Sequence, residues 1–268
     1  MDIVVCVKQV PDTNEVEIDP EEGTLIREGI PSIINPEDKN GIEEAVKLKE
    51  EYGGTVTVIS MGPPQAEVAL KEALAMGADE AILLSDRAFA GSDTLATAYT
   101  LTKGIEQLDN YDLIFCGREA IDGDTAQVGP QIAENLDIPQ ITYATKLNLD
   151  GTQAKVRRKT EDGYSIIETE LPMLVTVLEA LNEPRYPSIK GIINAHRKQE
   201  VKVWGVEDLE DVDKSKLGLD GSPTQVRDTF VPTHEKKGEI LEGTSQEKAQ
   251  VLVEKLKEEL GSFYVSQN

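Results

Sequence analysis

The stretch best suited to chemistry is Gly117-Arg118-Glu119-Ala120-Ile121-Asp122-Gly123-Asp124-Thr125-Ala126-Gln127-Val128-Gly129-Pro130, a polar loop running into a predicted helix. Backbone N–H groups at Thr125 to Val128 would lack intrahelical partners, and such a helix start suits a phosphate or pyrophosphate. An ordinary capped helix would carry the same residues, so the loop alone leaves both readings open. Asn35-Pro36-Glu37-Asp38 is a second helix start, with proline at the first helical position. Cys6-Val7-Lys8 and Ser60-Met61-Gly62-Pro63 each end a short apolar run. Glycine follows the run at Gly62 and Gly117, where backbone can approach a ligand closely. Neither G-x-G-x-x-G nor G-x-x-x-x-G-K-[ST] occurs, so the usual dinucleotide and P-loop fingerprints are absent. Asp122 and Asp124 read as a solvated turn rather than a metal site. His196 and His234 have no partner at ligand spacing. No Ser-His-Asp or Cys-His arrangement supports a hydrolase, and Cys116 reads as buried packing.

These residues need elements to position them. Ile3–Val7, Thr55–Ser60, Ala81–Leu84 and Leu113–Cys116 read as short buried strands. Between them lie helical patterns. Ile42, Ala45, Val46 and Lys49 recur at helical spacing before Gly53-Gly54. Val68, Leu70, Ala73 and Leu74 follow Pro63-Pro64 and stop at Gly77. Ser92 or Asp93 caps a helix to about Leu108, and another runs from about Thr125 to Leu136. Alternating strands and helices predict an α/β fold: an open, mainly parallel sheet with helices on both faces. Ligands bind at the carboxyl ends of such strands, which selects the runs named above. Lys155–Lys159 and Ile166–Glu170 flank Glu161-Asp162-Gly163 as a hairpin, and Leu174–Val177 as a strand, predicting an antiparallel extension.

After about Gly205 the core pattern stops. Val206–Asp220 is acid-rich, and Ser222-Pro223-Thr224 and Val231-Pro232-Thr233 read as extended. Thr244-Ser245-Gln246-Glu247 is a capping-box pattern opening a helix with Ala249, Leu252, Val253, Leu256 and Leu260 on one face. The expected division is residues 1–204 as the α/β domain and 205–268 as an arm ending in that helix. The pattern alone also allows the helix to pack back on its own domain.

The chain has 268 residues, with 27 Lys+Arg against 50 Asp+Glu and a net charge of −23. Such a surface repels nucleic acid and anionic membranes. Apolar residues are 39% of the chain and aromatics 4%, so Val, Ile, Leu and Ala must fill the core. Two cysteines, Cys6 and Cys116, exclude a disulfide scaffold. No stretch of about 18 apolar residues could span a membrane. Met1–Lys8 does not read as a signal peptide. The expectation is a soluble cytoplasmic protein.

The chain resembles the β subunit of electron-transferring flavoproteins over nearly its whole length. The matching pieces are Val7-Lys8-Gln9-Val10-Pro11-Asp12, Ile34-Asn35-Pro36, Ala73-Leu74-Ala75-Met76-Gly77-Ala78-Asp79, the Gly117–Pro130 loop and Leu181-Asn182-Glu183-Pro184-Arg185-Tyr186. The resemblance implies a heterodimer with an α subunit, on which the C-terminal arm docks. It implies nucleotide contacts at Cys6, Asn35, Pro36, Glu37, Asp38, Met61, and Gly117 through Val128. The ligand is AMP in ordinary members and FAD in electron-bifurcating ones. Asp122-Gly123-Asp124-Thr125-Ala126-Gln127-Val128-Gly129-Pro130 and Val10-Pro11-Asp12-Thr13 look like the bifurcating group, with Gly123, Ala126 and Gly129 leaving room for a dinucleotide.

For that group the resemblance implies hydride transfer from NADH to the β-subunit FAD, in anaerobic metabolism. One electron then passes to ferredoxin or flavodoxin, the other through the α-subunit FAD to a dehydrogenase acting on acyl-CoA, enoyl-CoA or lactate. Arg118 would tune the flavin, since it adds a cation to a helix start. Thr13 maps near the α-subunit flavin. Tyr186–Ala195 matches a partner-gripping loop, with Tyr186, Ile189, Ile192 and Asn194 as docking residues and Ile189 as anchor. Two other readings stand beside this one: an ordinary carrier holding structural AMP, and an adenine-nucleotide sensor module. No metal is implied.

Overall fold

The computed structural model describes residues 1–12, 31–227 and 238–265, with side chains of the last helix to residue 258. Thr13, Val231-Pro232-Thr233 and His234 lie outside the described residues. Two compact units are present, Met1–Thr229 and Phe230–Asn268.

In chain order the first unit holds β1 (Asp2–Cys6), β2 (Gln9–Pro11), β3 (Ser32–Ile34), α1 (Pro36–Tyr52), β4 (Thr55–Met61), α2 (Glu67–Met76), β5 (Glu80–Leu84), α3 (Thr94–Glu106) and β6 (Leu113–Gly117). There follow α4 (Val128–Asn135), β7 (Gln140–Asp150), β8 (Gln153–Thr160), β9 (Gly163–Glu170), β10 (Met173–Val177), α5 (Ile189–Arg197) and β11 (Val201–Trp204). The strands form one sheet in the order β11-β5-β4-β1-β6-β10-β7-β8-β9, while β2 and β3 pair separately. From β11 to β7 all neighbours are parallel; β8 and β9 extend the sheet antiparallel. This is the expected α/β sheet with its antiparallel extension.

The inner strands are apolar on both faces because helices cover both. Ile3, Val5, Val58, Leu83 and Phe115 face α1 and α2 with Ile42, Val46, Leu70 and Leu74. Val4, Cys6, Ile59, Ile114 and Cys116 face α3 and α4 with Ala98, Leu101, Ile105 and Ile132. Strand alternation therefore puts both buried cysteines on the α3/α4 face. They are the last and next-to-last residues of neighbouring strands β1 and β6. Asp93 caps α3 as expected, its carboxylate accepting from the N–H groups of Leu95 and Ala96.

Three expectations need correction. The stretch after Gly205 is not detached: Val206, Leu209 and Leu217 are buried in the α3/α4 core, and the first unit runs to Thr229. The α4 helix starts at Val128, not Thr125, because Asp124 and Ala126 have φ of 45° and 53°, which no α-helix accommodates. Tyr186–Ala195 is not a plain loop: Ser188 caps helix α5, accepting from Gly191 N–H at 3.0 Å.

In the second unit, α6 (Ser245–Val265) opens with the expected capping box. Thr244 Oγ donates to Glu247 Oε2 at 2.7 Å and accepts from Glu247 N–H at 3.4 Å.

Candidate functional site

Chain order fixes where the sheet opens. From β1 the parallel strands run outward through β4 to β5, then the chain returns to the far side of β1 as β6. The direction of winding reverses between β1 and β6, and a crevice forms there at the carboxyl ends. Cys6-Val7-Lys8 leaves one side of that crevice and Cys116-Gly117-Arg118 the other.

The N-terminus of α1 ties the two exits together. Asp38 accepts from Lys8 N–H at 2.7 Å and from Gly117 N–H at 3.0 Å. Asn35 Nδ2 also donates to it at 3.1 Å. A side chain at Gly117 would collide with the Asp38 carboxylate, so only glycine lets β6 come this close to α1. Asn35 does not cap α1 through its side chain. Its Nδ2 donates to Glu119 O at 2.9 Å and its Oδ1 accepts from Ile121 N–H at 3.1 Å. Glu37 accepts from Glu119 N–H at 3.2 Å. Asn35, Glu37 and Asp38 are buried, and they brace the 117–121 loop from beneath. Burial pushes the Asp38 carboxyl up to about 7, against the pull of Asn35 and of the Lys8 and Gly117 amides. Burial also raises Glu37, opposed by the Glu119 amide and Arg118.

Above this brace the loop turns. Gly123 and Asp124 N–H donate to Ala120 O at 3.0 and 2.9 Å. Past Asp124, the backbone N–H groups of Thr125, Ala126, Gln127, Val128 and Gly129 have no acceptor among the described residues. Alternation of left-handed Ala126 with right-handed Gln127 (φ −111°, ψ −30°) makes a concave run of donors, continued by the first turn of α4. Thr94 Oγ donates to Gln127 Oε1 at 3.0 Å and links this loop to α3. Gly129 serves packing rather than ligand space: a Cβ there would sit 2.7 Å from Thr176 Cγ2 on β10. At Gly123 a Cβ would meet nothing within 4 Å, so that position is open.

Two cations stand at the crevice. Lys8 Nζ pairs with Asp122 Oδ1 at 2.6 Å. Arg118 is bracketed by Glu37, 3.5 Å from its Nε, and by Glu119. Its Nε is buried and hydrogen-bonds to nothing among the described residues. A hydrogen bond donated to Cys6, together with burial, pushes the Cys116 thiol well above its ordinary value.

Met61 leads into a neighbouring cleft of about 600 Å³ over β4 and β5, lined also by Pro63, Pro64, Asp86, Arg87 and Phe89. Sequence reading missed the β5 side of this cleft. Its signal was present in Ser85-Asp86, which follows the Ala81–Leu84 run as a strand exit.

The residues expected to dock a partner gather elsewhere. Tyr186 is 95% and Ile189 80% exposed, with Ile192 and Ile193 also exposed along α5. Asn194 is half-buried beside a cleft of about 520 Å³ between α5 and the end of α2. Arg185 anchors this segment on α1 through Glu43 at 2.8 Å and Glu50 at 2.6 Å. Asn182 adds bonds to Asn40 and Glu44. The Leu181–Tyr186 motif therefore ties the segment that leads into α5 to α1. Among the described residues no cluster of His, Cys, Asp and Glu could hold a metal, and no helix is long and apolar enough to cross a membrane.

Fold and crevice define an open α/β protein whose switch point offers an anion a run of backbone donors. A family model described as "Electron transfer flavoprotein domain" matches residues 22–209. The electron transfer flavoprotein subunit beta of Thermoanaerobacterium thermosaccharolyticum is 64% identical, over 96% of this chain and 98% of that protein. The caffeyl-CoA reductase-Etf complex subunit CarD of Acetobacterium woodii is 53% identical, over 96% and 98%. The acryloyl-CoA reductase electron transfer subunit gamma of Anaerotignum propionicum is 48% identical, again over 96% and 98%. The chain belongs to the electron transfer flavoprotein family, as one of its β subunits. Its work is electron transport alongside an α subunit.

Proposed function

We propose that this chain is the β subunit of an electron-bifurcating flavoprotein. It holds an FAD at the β1/β6 crevice, and its C-terminal arm docks on the α subunit. The observation that carries the ligand is the unpaired run of N–H groups from Thr125 to Gly129, which fits a pyrophosphate. The open space at Gly123 fits a bulky polar ligand at the same edge. Bound there, the flavin would accept hydride from NADH and release electrons singly, which is the cofactor's chemistry. The chain supplies position: Asp38 and Asn35 hold the loop, the N–H run takes the phosphates, and Arg118 biases the site toward negative charge.

One electron goes to ferredoxin or flavodoxin. The other goes through the α-subunit FAD to a dehydrogenase gripped by Tyr186, Ile189, Ile192 and Asn194. The names of the caffeyl-CoA and acryloyl-CoA reductase relatives favour an enoyl-CoA or acyl-CoA partner over a lactate dehydrogenase. All of this is cytoplasmic chemistry.

The test is to co-express the chain with its α partner and measure FAD and AMP released per heterodimer. Two FAD and no AMP, with bleaching by NADH, are expected. One FAD and one AMP would leave an ordinary carrier. Ile189→Ala should weaken transfer to the dehydrogenase while NADH-to-dye activity stays unchanged; equal loss of both would remove the docking role.

A further inference from the structure

We propose that Lys8 is the cation that meets the nucleotide's phosphate, and that Asp122 is a placeholder which the phosphate displaces. This rests on the nucleotide reading above and assigns a residue within it.

The carboxyl edge is crowded with acid: Glu37, Asp38, Glu119, Asp122 and Asp124 all lie on the two segments that form it. A phosphate arriving there needs a mobile cation as well as backbone donors. Arg118 cannot supply one cheaply. It is held between Glu37, whose side chain is 10% exposed, and Glu119, and leaving them would strand a largely buried carboxylate. Lys8 differs in each respect. Its side chain is 49% exposed, and its single carboxylate partner among the described residues is Asp122, 21% exposed. An ion pair this open to water contributes little net stability, so exchanging its acid for another costs little.

Position supports the same division. The Lys8 backbone is fixed by its N–H bond to Asp38, while the long side chain can move. Asp122 lies three residues before Thr125, so the pair ties the ammonium to the loop that carries the N–H run. The pyrophosphate of FAD, like the phosphate of AMP, carries about two negative charges against the single charge of a carboxylate and brings several acceptor oxygens. It therefore competes for Lys8 on favourable terms, and binding frees Asp122 to turn toward water.

The experiment uses the heterodimer stripped of nucleotide, with calorimetric titration of AMP and of adenosine, which lacks the phosphate. The variants are Lys8→Met, Lys8→Arg and Asp122→Asn, with Lys202→Met as a control for losing one surface lysine paired to a carboxylate. Lys8→Met should weaken AMP by about tenfold or more and leave adenosine unchanged. Lys8→Arg should restore most of the loss, Asp122→Asn should tighten AMP, and Lys202→Met should change neither ligand. AMP affinity should also depend less steeply on salt in Lys8→Met. AMP binding by Lys8→Met at wild-type strength overturns the proposal, as does equal loss of AMP and adenosine. Loss of AMP affinity in Asp122→Asn overturns the placeholder role. Wild-type protein that binds neither AMP nor adenosine overturns the nucleotide reading itself, and this role with it.

Discussion

Arg185→Ala should destabilise the protein by about 2–3 kcal/mol at pH 7, because it strands a buried acid. Glu43 is 4% exposed and takes two side-chain bonds from Arg185, from Nε at 2.8 Å and from Nη2 at 3.2 Å, besides a backbone N–H bond at 3.0 Å that the variant keeps. Breaking a fully buried ion pair costs about 3–5 kcal/mol. The Arg185 side chain is 33% exposed, so solvent screening lowers that figure. The exposed Glu50 adds little. In a unit of this size the loss corresponds to a fall in melting temperature of about 5–10 °C.

The pH dependence follows from Glu43. Burial alone would raise its carboxyl, but the hydrogen bonds and charge of Arg185 outweigh burial and hold it below the ordinary 4.5. A depressed folded pKa gives stability that is whole above 4.5 and is lost as pH falls through the folded value. The gap between wild type and variant should therefore narrow below 4.5. Urea midpoints at several pH values, at one fixed heterodimer concentration, measure it. A gap under about 0.5 kcal/mol at pH 7, or one that stays constant well below 4.5, refutes the reasoning.

Three further perturbations address the site and the second unit. Gly117→Ala drives a methyl into the Asp38 carboxylate and should cost about 1–3 kcal/mol, with faster hydrogen exchange at the Lys8 amide; unchanged exchange there would mean that β6 and α1 yield easily. Asp38→Asn removes a carboxyl whose folded value, about 7, lies above its ordinary 3.8. Folded wild type keeps a proton that the unfolded chain releases across that window, so its stability falls as pH rises through it, by up to about 4 kcal/mol, and the variant's does not. Urea midpoints at both ends of the window check this, and a constant difference between the two proteins sinks it. Thr244→Ala should cost α6 about 1 kcal/mol by removing its cap, seen as lower helicity in a peptide spanning residues 241–265; equal helicity would deny the capping box a role.

The parallel core was legible because buried parallel strands read as unbroken apolar runs. Ile3–Val7, Thr55–Ser60, Ala81–Leu84 and Leu113–Cys116 all stand out against charged helices, and the observed strands agree within a residue or two. Edge elements carried no such signal. Val201–Trp204 is an edge strand with Lys202 and Val203 facing solvent, and its partner among the described residues, β5, lies far back in the chain. Val206, Leu209 and Leu217 bury themselves from short turns among acids, with neither a strand nor a helix period to reveal them. At α5, prolines at 184 and 187 and a glycine at 191 disguised a helix whose evident mark is the Ser188 cap.

The site was legible by position and not by what each residue does there. Strand exits and helix starts selected Asn35, Glu37, Asp38 and the 117–128 loop, and the fold gathers them at one edge. Their side chains divide the work in a way that residue type cannot announce. Asn35 is an ideal helix cap by type, yet its amide is spent on Glu119 and Ile121. Asp38 is an acid beside an anion site, which would be repulsive if it faced the ligand. Buried beneath the loop, it satisfies the amides of Lys8 and Gly117 instead and leaves the outward N–H groups for something else. That division is how an acid-rich edge on a chain of net charge −23 would take the proposed phosphate. Asp38 faces inward and Glu37, Glu119 and Asp122 pair with Arg118 or Lys8, so that beside the exposed Asp124 what remains outward is backbone, whose N–H dipoles no sequence composition records. Substituting Asn35 or Asp38 therefore tests the shape of the loop, and substituting Lys8 tests the ligand.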